Sequence, residues 1–480
     1  MIRRTKVVAT LGPASSDAKT LTRMIDAGLD VVRINFSHGT PDEHRARVNL
    51  VRQLARKAGR AVGVLVDLQG PKIRVGRFKD GKINLEPGAK FVLDAECKLG
   101  DQNVGGLDYK NLPNDVRPGD TLLLDDGRIV LGVTSVRGPK IFTVVEQGGP
   151  LSNNKGINRK GGGLTAPALT EKDKQDIKLA AELKADFLAV SFPRSGDDVR
   201  WARDLFTKAG GHGLIVSKIE RAEAIPALEE ILDASDAIMV ARGDLAVEVG
   251  DAAVPALQKR MIRMAREKLK LTITATQMME SMISSPIPTR AEVSDVANAV
   301  LDGTDAVMLS AETASGRYPV QVVESMDRIC VEAEHTQTVT LDQEFLNRQF
   351  ARVDQSIAMA ALFTAFHLNV KAIAALTESG STALWMSRLN CGVPIYALTS
   401  KTSTRYRATL FRDTYPLMMR YIGNDREELL AEAEQVLVSN GVVKEGDLIV
   451  LTIGEPIGAA GGTNTMKIVR VGDHKRAAGS

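Results

Sequence analysis

The chain has 480 residues, a length that suggests about three domains or one large barrel with additions. Hydrophobic residues make up 44% of it and charged residues 25%, which excludes collagen-like, coiled-coil and mostly disordered proteins. Lysine and arginine number 62 against 59 aspartates and glutamates, so no excess of positive charge favours a nucleic acid partner. An anionic ligand must therefore be held by a local cluster of cations.

The N-terminal residues, the lack of long apolar stretches and the cysteines favour a cytoplasmic protein without a membrane partner. The apolar run Val7–Ala9 is shorter than the ~7–15 residues of a signal-peptide core. No stretch approaches the ~18 apolar residues of a membrane span. Cys97, Cys330 and Cys391 lie far apart, without metal-type spacing, and are expected to be small core residues in a reducing cytosol.

Short apolar runs that end in polar or charged residues repeat along the chain and predict parallel strands buried on both faces. They are Lys6–Thr10, Val31–Phe36, Val62–Asp67, Phe187–Phe192, Leu214–Ile219, Ala237–Ala241, Leu271–Thr276 and Ala306–Leu309. Amphipathic helical patterns lie between most of them, and capping boxes begin two of these helices at Thr40 and Thr289. Eight strand–helix units of this kind predict a (β/α)₈ barrel.

Residues 71–168 interrupt the alternation with glycine-rich, short alternating strands. Leu122–Leu124 and Ile129–Val133 flank Asp125–Arg128, a strong hairpin pattern, which predicts a small all-β module inserted in a βα loop. The barrel then takes residues 1–70 and 169–340. A second α/β pattern predicts a separate open-sheet domain over residues 341–480. Its predicted elements are Gln355–Leu368, Ala372–Leu376, Ile395–Leu398, Arg426–Val438 and Leu448–Ile453.

Barrel active sites lie at the carboxyl ends of the strands, where this sequence concentrates ionisable groups. Glu220 and Asp244 follow adjacent strands, and this pair suits a hard divalent cation that takes its other ligands from substrate oxygens. Lys218 lies two residues before Glu220, so both side chains point to the same side of the strand. Arg33 and Arg74 add cations suited to bidentate phosphate contacts. The rim therefore predicts a small phosphate-bearing ligand held on a metal.

A turn at Arg242–Asp244 leads into a predicted helix, whose first N–H groups can receive a carboxylate. Taken singly, each rim residue has a structural alternative. Arg33 can simply pair with Asp67, and Thr276 and Ser310 can be caps. Only the joint placement of these groups on one rim favours a site. The chain contains no P-loop, protein-kinase glycine loop, G-x-S-x-G or H-E-x-x-H pattern, so a nucleotide must bind without them.

At these residues the sequence resembles the pyruvate kinase family. The matching segments are Thr10–Pro13, Arg33–Gly39, Asp67–Arg74, Lys218–Glu220, Met239–Asp244, Thr274–Met282 and Ser310–Thr313. The resemblance covers essentially the whole chain, and Ala275–Met282 resembles the family signature. It implies a TIM (β/α)₈ barrel with an inserted small β-barrel lid domain and a C-terminal open-sheet α/β regulatory domain. It also implies phosphoryl transfer from phosphoenolpyruvate to ADP, giving pyruvate and ATP, as the final step of glycolysis.

The resemblance implies a role for each matching site residue. Mg²⁺, replaceable by Mn²⁺, is held by Glu220 and Asp244. Catalytic roles fall to Lys218, Arg33, Thr276, Ser310 and Glu312, the last three near the path of a proton to the enolate. The substrate is bound by Arg33, Lys218, Ala241, Arg242, Gly243, Asp244 and Thr276. The nucleotide is bound by Asn35, His38, Arg74 and Lys155, with Arg33 nearby.

The potassium site of the family shows one departure. Its ligands match Asn35, Ser37, Asp67 and the carbonyl of Leu68. Members that need K⁺ usually have a glutamate where this chain has Lys72. Because an ammonium there can supply the missing positive charge internally, we expect activity without K⁺.

A strand-to-helix turn in the C-terminal domain resembles an allosteric phosphate site. Its residues are Thr377, Glu378, Ser379, Gly380, Ser381 and Thr382, with Lys401, Thr402 and Arg405 as possible helpers. Glu378 disfavours a doubly phosphorylated sugar, so a sugar monophosphate or AMP is expected, and the structural alternative is a plain helix cap. The family also suggests a homotetramer.

The residues leave two other functions open. A metal-dependent aldolase that acts on phosphoenolpyruvate or pyruvate would share Glu220, Asp244 and an arginine, but it has no need of Lys218, the β module or the C-terminal domain. A non-enzymatic metabolite-binding protein would usually have lost a metal ligand or the key cation, and all are present here. Pyruvate formation that depends on ADP separates the kinase from both.

Overall fold

The structure, a computed structural model, describes residues 2–337, 349–389, 391–420, 425–456 and 462–473. The predicted start of the C-terminal domain at residue 341 lies outside these residues. The elements before the inserted module are β1 (Lys6–Thr10), α1 (Ala18–Asp26), β2 (Val31–Asn35), α2 (Pro41–Lys57) and β3 (Gly63–Asp67). The module contains β4 (Lys82–Leu85), β5 (Lys90–Asp94), β6 (Val104–Gly106), α3 (Leu112–Asp115), β7 (Thr121–Leu124), β8 (Ile129–Arg137), β9 (Lys140–Gln147), β10 (Gly149–Ser152) and β11 (Ile157–Arg159).

The chain then returns to strand–helix alternation. This part contains α4 (Glu171–Glu182), β12 (Phe187–Val190), α5 (Gly196–Lys208), β13 (Leu214–Ile219), α6 (Leu228–Ala234), β14 (Ala237–Ala241), α7 (Arg242–Val249), α8 (Val254–Glu267), β15 (Leu271–Ala275), α9 (Arg290–Leu301), β16 (Ala306–Leu309), α10 (Ala311–Ala314) and α11 (Pro319–Thr336). The described C-terminal elements are α12 (Val353–Leu368), β17 (Ala372–Leu376), α13 (Ser381–Ser387), β18 (Ile395–Thr399), α14 (Thr402–Arg407), β19 (Thr414–Met418), α15 (Arg426–Ser439), β20 (Leu448–Gly454) and β21 (Thr463–Arg470).

The predicted barrel is confirmed. Parallel strands close in the order β1-β16-β15-β14-β13-β12-β3-β2. Alternate residues face opposite sides: Val8 packs in the barrel interior, whereas Val7 and Ala9 pack against the surrounding helices. The capping boxes at Thr40 and Thr289 are present, each with a glutamate three residues later. Because all eight strands are parallel, the loops that follow them lie at one end of the barrel.

The inserted module is built from antiparallel pairs and one parallel pair. One sheet has the order β11-β7-β8-β9-β5-β6, and β4 pairs with β10. The predicted hairpin joins β7 to β8, and Asp125, Asp126 and Gly127 in its turn all have positive φ values. The apolar core of the module is a cluster of its own, separate from those of the barrel. The module therefore has the internal packing of a small independent body.

The C-terminal domain shares apolar packing with the barrel. Its described strands form one open sheet in the order β19-β18-β17-β20-β21, with only β21 antiparallel. One apolar cluster runs from the barrel interior, through Val8 and Phe187, to Trp385 and Phe411 of this domain. In the part of the chain that the structure describes, no helix combines the length and the hydrophobicity needed to cross a membrane.

The cysteine prediction holds for two of the three residues. All three thiols are free, and Cys330 and Cys391 are buried. Burial raises the pKa of both thiols to about 12, which keeps them protonated and unreactive. The prediction is wrong for Cys97, which is only partly buried because it lies in the turn after β5, where its N–H donates to the Asp94 carbonyl.

A buried ion pair joins the C-terminal domain to the base of the barrel, and breaking it should destabilise the protein. The guanidinium of Arg388 contacts Asp305, and each side chain is 1% exposed. We expect Arg388→Met to lower the free energy of unfolding by about 3–5 kcal/mol, because Asp305 is left as an unpaired buried charge. The exposed pair Arg200–Asp197 supplies the control, since Arg200→Met should cost at most about 1 kcal/mol. Equal urea midpoints for the two variants would contradict this prediction.

Candidate active site

Four charged side chains meet where β2, β3 and β13 end. Asp67 accepts a hydrogen bond from Nε of Arg33 at 2.7 Å. Nζ of Lys218 lies 3.3 Å from Oδ1 of Asp67 and 2.9 Å from Oε1 of Glu220. Lys218 and Glu220, two residues apart, thus face the same side. Asp67 anchors both cations, so the structural alternative considered for Arg33, its pairing with Asp67, exists within the cluster.

The ionisation of this cluster follows from its burial and its charges. Burial alone would raise the pKa of Asp67, but Lys218 and Arg33 outweigh it and hold that pKa below its usual value. Burial lowers the pKa of Lys218, but Asp67 and Glu220 more than compensate and raise it. Burial and the nearby carboxylate of Asp244 raise the pKa of Glu220 despite its contact with Lys218. The cluster therefore holds a charged Lys218 beside the carboxylates of Asp67 and Glu220, and the carboxylate of Asp244 repels that of Glu220.

Glu220 and Asp244 form a donor set that fits a hard divalent cation. Asp244 is near enough to raise the pKa of Glu220, and a cation between the two would remove that repulsion. In the described ranges of the chain, no group of three or more His, Cys, Asp or Glu side chains could form a metal site. The protein thus offers two carboxylates, which suits Mg²⁺ with remaining ligands from water and substrate.

Thr276 lies against the first turn of α7. It has a positive φ of 66°, which ends β15 at Ala275, one residue before the predicted end. Its Oγ1 accepts the N–H of Gly243 at 2.8 Å. Arg242 is held by Asp295 at 2.7 Å and by the carbonyl of Thr276 at 2.8 Å. Thr276 is therefore both a cap of this helix and part of the rim, and no side chain caps the helix from the Ala241 position.

Ser310 and Glu312 form a second buried group on the rim. Glu312 accepts the N–H of Ser310 at 2.6 Å and that of Met279 at 3.2 Å. Burial raises the pKa of Glu312, while the N–H groups of Ser310 and Met279 oppose the rise. The hydrogen bonds of Thr276 run instead to Gly243 and to the carbonyl of Ala275. Ser310 and Glu312 are therefore joined through the backbone N–H of Ser310, whereas no direct hydrogen bond links Thr276 to either of them in the described residues.

The predicted nucleotide residues are spread over the barrel and the module. His38 is exposed in the loop after β2, and its N–H donates to the carbonyl of Asn35. Arg74 donates to the carbonyl of Asn154 at 3.4 Å, and Lys155 pairs with Asp125 at 2.8 Å. The cations of Arg74 and Lys155 thus contact other residues of the module.

Residues that match the potassium ligands of the family form hydrogen bonds within the protein, and Lys72 is not one of their partners. Oδ1 of Asn35 accepts the N–H of Ser37 at 3.0 Å, and the carbonyl of Leu68 accepts the hydroxyl of Ser191 at 2.7 Å. Nζ of Lys72 instead lies 3.1 Å from Oδ1 of Asp244. The ammonium of Lys72 thus lies beside Asp244, one of the two predicted Mg²⁺ ligands, rather than beside the residues that match the potassium ligands.

The predicted effector turn has the backbone of a tight cap. Gly380 has a φ of 86°, and its N–H donates to Thr377 Oγ1 at 2.9 Å. Ser379 donates to the Ser381 hydroxyl at 3.1 Å. The Thr382 hydroxyl is buried against that of Thr463. At the same turn, Glu378 lies 3.7 Å from Nζ of Lys401.

The sequence analysis missed two residues at this site. Ser191 follows β12, and its hydroxyl lies 2.9 Å from Nζ of Lys218 and 3.4 Å from Asp67. Its place at a strand end was the available signal. Glu248 lies one turn after Asp244 in α7 and carried no signal beyond its charge. It lines a cleft of about 890 Å³ between the module and the barrel, together with Lys72 and Asp244.

Comparison with known proteins agrees with this architecture. Residues 2–323 match the family model "Pyruvate kinase, barrel domain", and residues 355–469 match "Pyruvate kinase, alpha/beta domain". The chain is 52% identical to "Pyruvate kinase II" of Salmonella typhimurium, covering 98% of this chain and 99% of that protein. It is 53% identical to "Pyruvate kinase" of Haemophilus influenzae, covering 94% and 96%. It is 42% identical to "Pyruvate kinase" of Corynebacterium glutamicum over the full length of both. The chain therefore belongs to the pyruvate kinase family of phosphotransferases.

Proposed function

We propose that this chain transfers the phosphoryl group of phosphoenolpyruvate to ADP and releases pyruvate and ATP. The observation that carries the proposal is the cluster in which Asp67 anchors Arg33 and Lys218 beside the carboxylates of Glu220 and Asp244. Phosphoryl transfer depends on positioning and on cancelling charge more than on a protein nucleophile. Membership of the family supports the same reaction.

The metal in this proposal is Mg²⁺, with Mn²⁺ as a substitute, held by Glu220 and Asp244. When bound, such an ion neutralises phosphate oxygens and helps to orient the substrate. In the structure Lys218 pairs with Glu220 and Lys72 with Asp244, so each carboxylate already has a cationic neighbour. Both carboxylates are thus placed to exchange an ammonium contact for a divalent ion.

Arg33 and Lys218 are the proposed contacts of the phosphoryl group. Because Asp67 holds both, their cationic ends are fixed before the substrate arrives. Fixed charges of this kind stabilise a developing negative charge without having to reorganise during the reaction. The Ser191 hydroxyl, 2.9 Å from Nζ of Lys218, adds a further constraint on the lysine.

The substrate carboxylate is proposed to lie at the start of α7. The backbone from Ala241 to Asp244 presents helix N–H groups there, and Thr276 borders the same turn. After transfer, the enolate takes up a proton on the side of Thr276, Ser310 and Glu312. Glu312 supports this assignment by its position, because its carboxylate accepts the N–H groups of Ser310 and Met279 on this side of the rim.

The nucleotide is proposed to bind between Asn35 and His38 on the barrel and Arg74 and Lys155 on the module. Because these residues belong to two parts of the chain, bound ADP would draw the module and the barrel together. Closing the module over the site would exclude water and suppress hydrolysis of the phosphoryl donor.

A coupled assay tests the proposed reaction. Pyruvate should form from phosphoenolpyruvate only when ADP and Mg²⁺ are both present, with one ATP for each pyruvate. Pyruvate release without ADP would instead indicate a lyase or a phosphatase. Binding without turnover would indicate a metabolite-binding protein.

We also propose that the activity needs no K⁺, because Lys72 brings a permanent positive charge into the active site, although its Nζ lies 3.1 Å from Asp244 rather than at the potassium ligands. Replacing KCl by tetramethylammonium chloride at constant ionic strength should leave the rate almost unchanged. Lys72→Glu, which introduces the residue of K⁺-requiring members, should create a dependence on K⁺. A many-fold stimulation of the unmodified protein by K⁺ would contradict this prediction.

The turn at residues 377–382 is proposed to bind a sugar monophosphate or AMP that activates the enzyme. We expect at least one member of a panel of these compounds to lower the phosphoenolpyruvate concentration needed for half-maximal rate. Ser381→Ala removes one hydroxyl from the turn and should weaken that activation without changing the unactivated rate. The exposed control Ser439→Ala should behave as the unmodified protein. Failure of every compound in the panel would refute the proposed effector class.

A cytoplasmic homotetramer is proposed for the assembled enzyme. The proposal rests on membership of the family, since closed symmetric homo-oligomers are the common form of soluble oligomers. Single large apolar side chains that a subunit contact could cover are Phe363 and Leu368 of α12, 46% and 47% exposed, and Ile287 of the barrel, 71% exposed.

A further inference from the structure

Glu248 lies beneath both connections between the barrel and the inserted module. It is the residue one turn after Asp244 in α7, and it is only 6% exposed. A cavity of about 10 Å³ at this joint is lined by Lys72 and Ile73 of the outgoing connection, by Asn158 and Leu164 of the returning one, and by Arg221 and Glu248 of the barrel. Such a space holds a single water molecule at most, so the joint is closely packed.

One residue contacts three segments at this joint. Oε2 of Glu248 accepts the N–H of Ala222 at 2.8 Å, two residues after Glu220. Oε1 accepts the side-chain amide of Asn158 in β11 at 3.2 Å. The main-chain carbonyl of Glu248 accepts the N–H of Gly161 at 3.2 Å. Glu248 therefore links the module to both of the segments that carry the proposed metal carboxylates.

The surroundings of this carboxylate do not favour its charge. Burial raises the pKa of Glu248 to about 7, and Glu223 adds to the rise, while the N–H of Ala222, the Asn158 amide and Arg221 oppose it. A buried acidic group in such surroundings costs stability, so packing alone does not account for a glutamate here. Strongly shifted groups of this kind are concentrated at functional sites.

The segment that leads from β11 back to the barrel contains three consecutive glycines next to its contact with Glu248. Gly161, Gly162 and Gly163 all have positive φ values, and Glu223 contacts the N–H of Gly163. Consecutive glycines in this conformation let the chain change direction at little steric cost. The main-chain carbonyl of Glu248 and the side chain of Glu223 thus hold an intrinsically flexible segment in one arrangement.

We propose that Glu248 is a positioning residue that couples the docking of the inserted module to the placement of Glu220 relative to Asp244. The inference rests on the proposed function, because it takes Glu220 and Asp244 as the metal pair. When the module is docked, Asn158 and Gly161 bind Glu248, which keeps α7 against the segment after Glu220. When the module moves away, Glu248 loses two partners and the two carboxylates are less firmly held.

The test compares Glu248→Ala with Glu248→Gln in the full chain, using Mn²⁺ alone as the probe. Removal of the side chain should raise the Mn²⁺ dissociation constant about tenfold, the lower end of the effect of residues that orient metal ligands. The glutamine variant should remain close to the unmodified protein, because its carbonyl can accept from Ala222 and its amide can donate to Asn158 after an amide flip. In Glu248→Ala, amide hydrogen exchange should accelerate both at 157–163 and at 221–223.

Asn158→Leu is a second variant, in which the module side of the contact with Glu248 is removed. It tests the inference on its own if Glu248→Ala does not fold. It should weaken Mn²⁺ binding in the same direction although Asn158 contacts neither carboxylate of the metal pair. Variants that bind Mn²⁺ as the unmodified protein does would overturn this inference alone. An unmodified protein that bound no Mn²⁺ would overturn the proposed metal site and this inference together. A lower melting temperature with unchanged Mn²⁺ binding would show a purely structural role and would also overturn it.

Discussion

Lys218→Met is expected to reduce kcat by about 10³-fold or more while leaving the fold intact. Its ammonium lies between Asp67 and Glu220, and no other lysine ammonium contacts either of these carboxylates in the described residues. Cations that act on a transferring phosphoryl group contribute about 10³–10⁵ in rate. Methionine preserves most of the volume of the lysine stem, and Asp67 keeps its contact with Arg33.

The measurement is turnover at saturating phosphoenolpyruvate and ADP, with circular dichroism as the check on folding. Lys208→Met is the matched control, because Lys208 is an exposed lysine at the end of α5. The KM for ADP should change little in Lys218→Met, since the proposed nucleotide contacts lie elsewhere. A variant that keeps at least about a tenth of the normal kcat, a loss of no more than 1.4 kcal/mol, would refute the proposed role.

Glu220→Gln and Asp244→Asn are each expected to weaken Mn²⁺ binding by about a hundredfold or more. Substitution of residues that merely orient metal ligands already costs 10–100-fold, and these two side chains are the proposed ligands themselves. Glutamine at position 220 can still accept the N–H of Phe192, which Glu220 accepts at 3.0 Å, so the backbone there should not shift. The loss of Mn²⁺ affinity should therefore result from the missing negative charge of the carboxylate rather than from a change in the backbone.

Titration calorimetry with Mn²⁺ in the absence of substrate measures this loss directly. Glu182→Gln is a suitable control because Glu182 forms an exposed ion pair with Arg45 on the outer helices. If either site variant bound Mn²⁺ as tightly as the control, the assignment of that residue as a ligand would be wrong.

Much of the fold could be predicted because the signals that carry it are local. The barrel strands are continuous apolar runs, and the helices between them begin at capping boxes such as Thr40 with Glu43. One error concerns Cys97, which was expected in the core and is only partly buried. Others lie at strand ends, as at Thr276, where a positive φ stops β15 one residue early. No periodic pattern encodes such a turn, because it depends on contacts with Gly243 across the rim.

The site could be predicted only where strand order determines proximity. Lys218 and Glu220 share one strand, so their contact follows from the two-residue period of the pleat. The ion pair between Lys72 and Asp244 depends on how the module is set against the barrel, and nothing local in the sequence specifies that orientation. Glu248 escaped notice for the same reason, since two of its three partners, Asn158 and Gly161, are in the module or its connection.

The separate apolar core of the module determines what a swing of that module would disturb. Its hydrophobic side chains pack among themselves, while contacts across the gap include the ion pair Lys72–Asp244 and hydrogen bonds to Glu248 and Glu223. Swinging it outward would thus break charged and polar contacts rather than an apolar core. Because the ion pair Lys72–Asp244 is partly exposed, dissolved ions should weaken it, and raising the ionic strength should make it easier for the module to move away from the barrel.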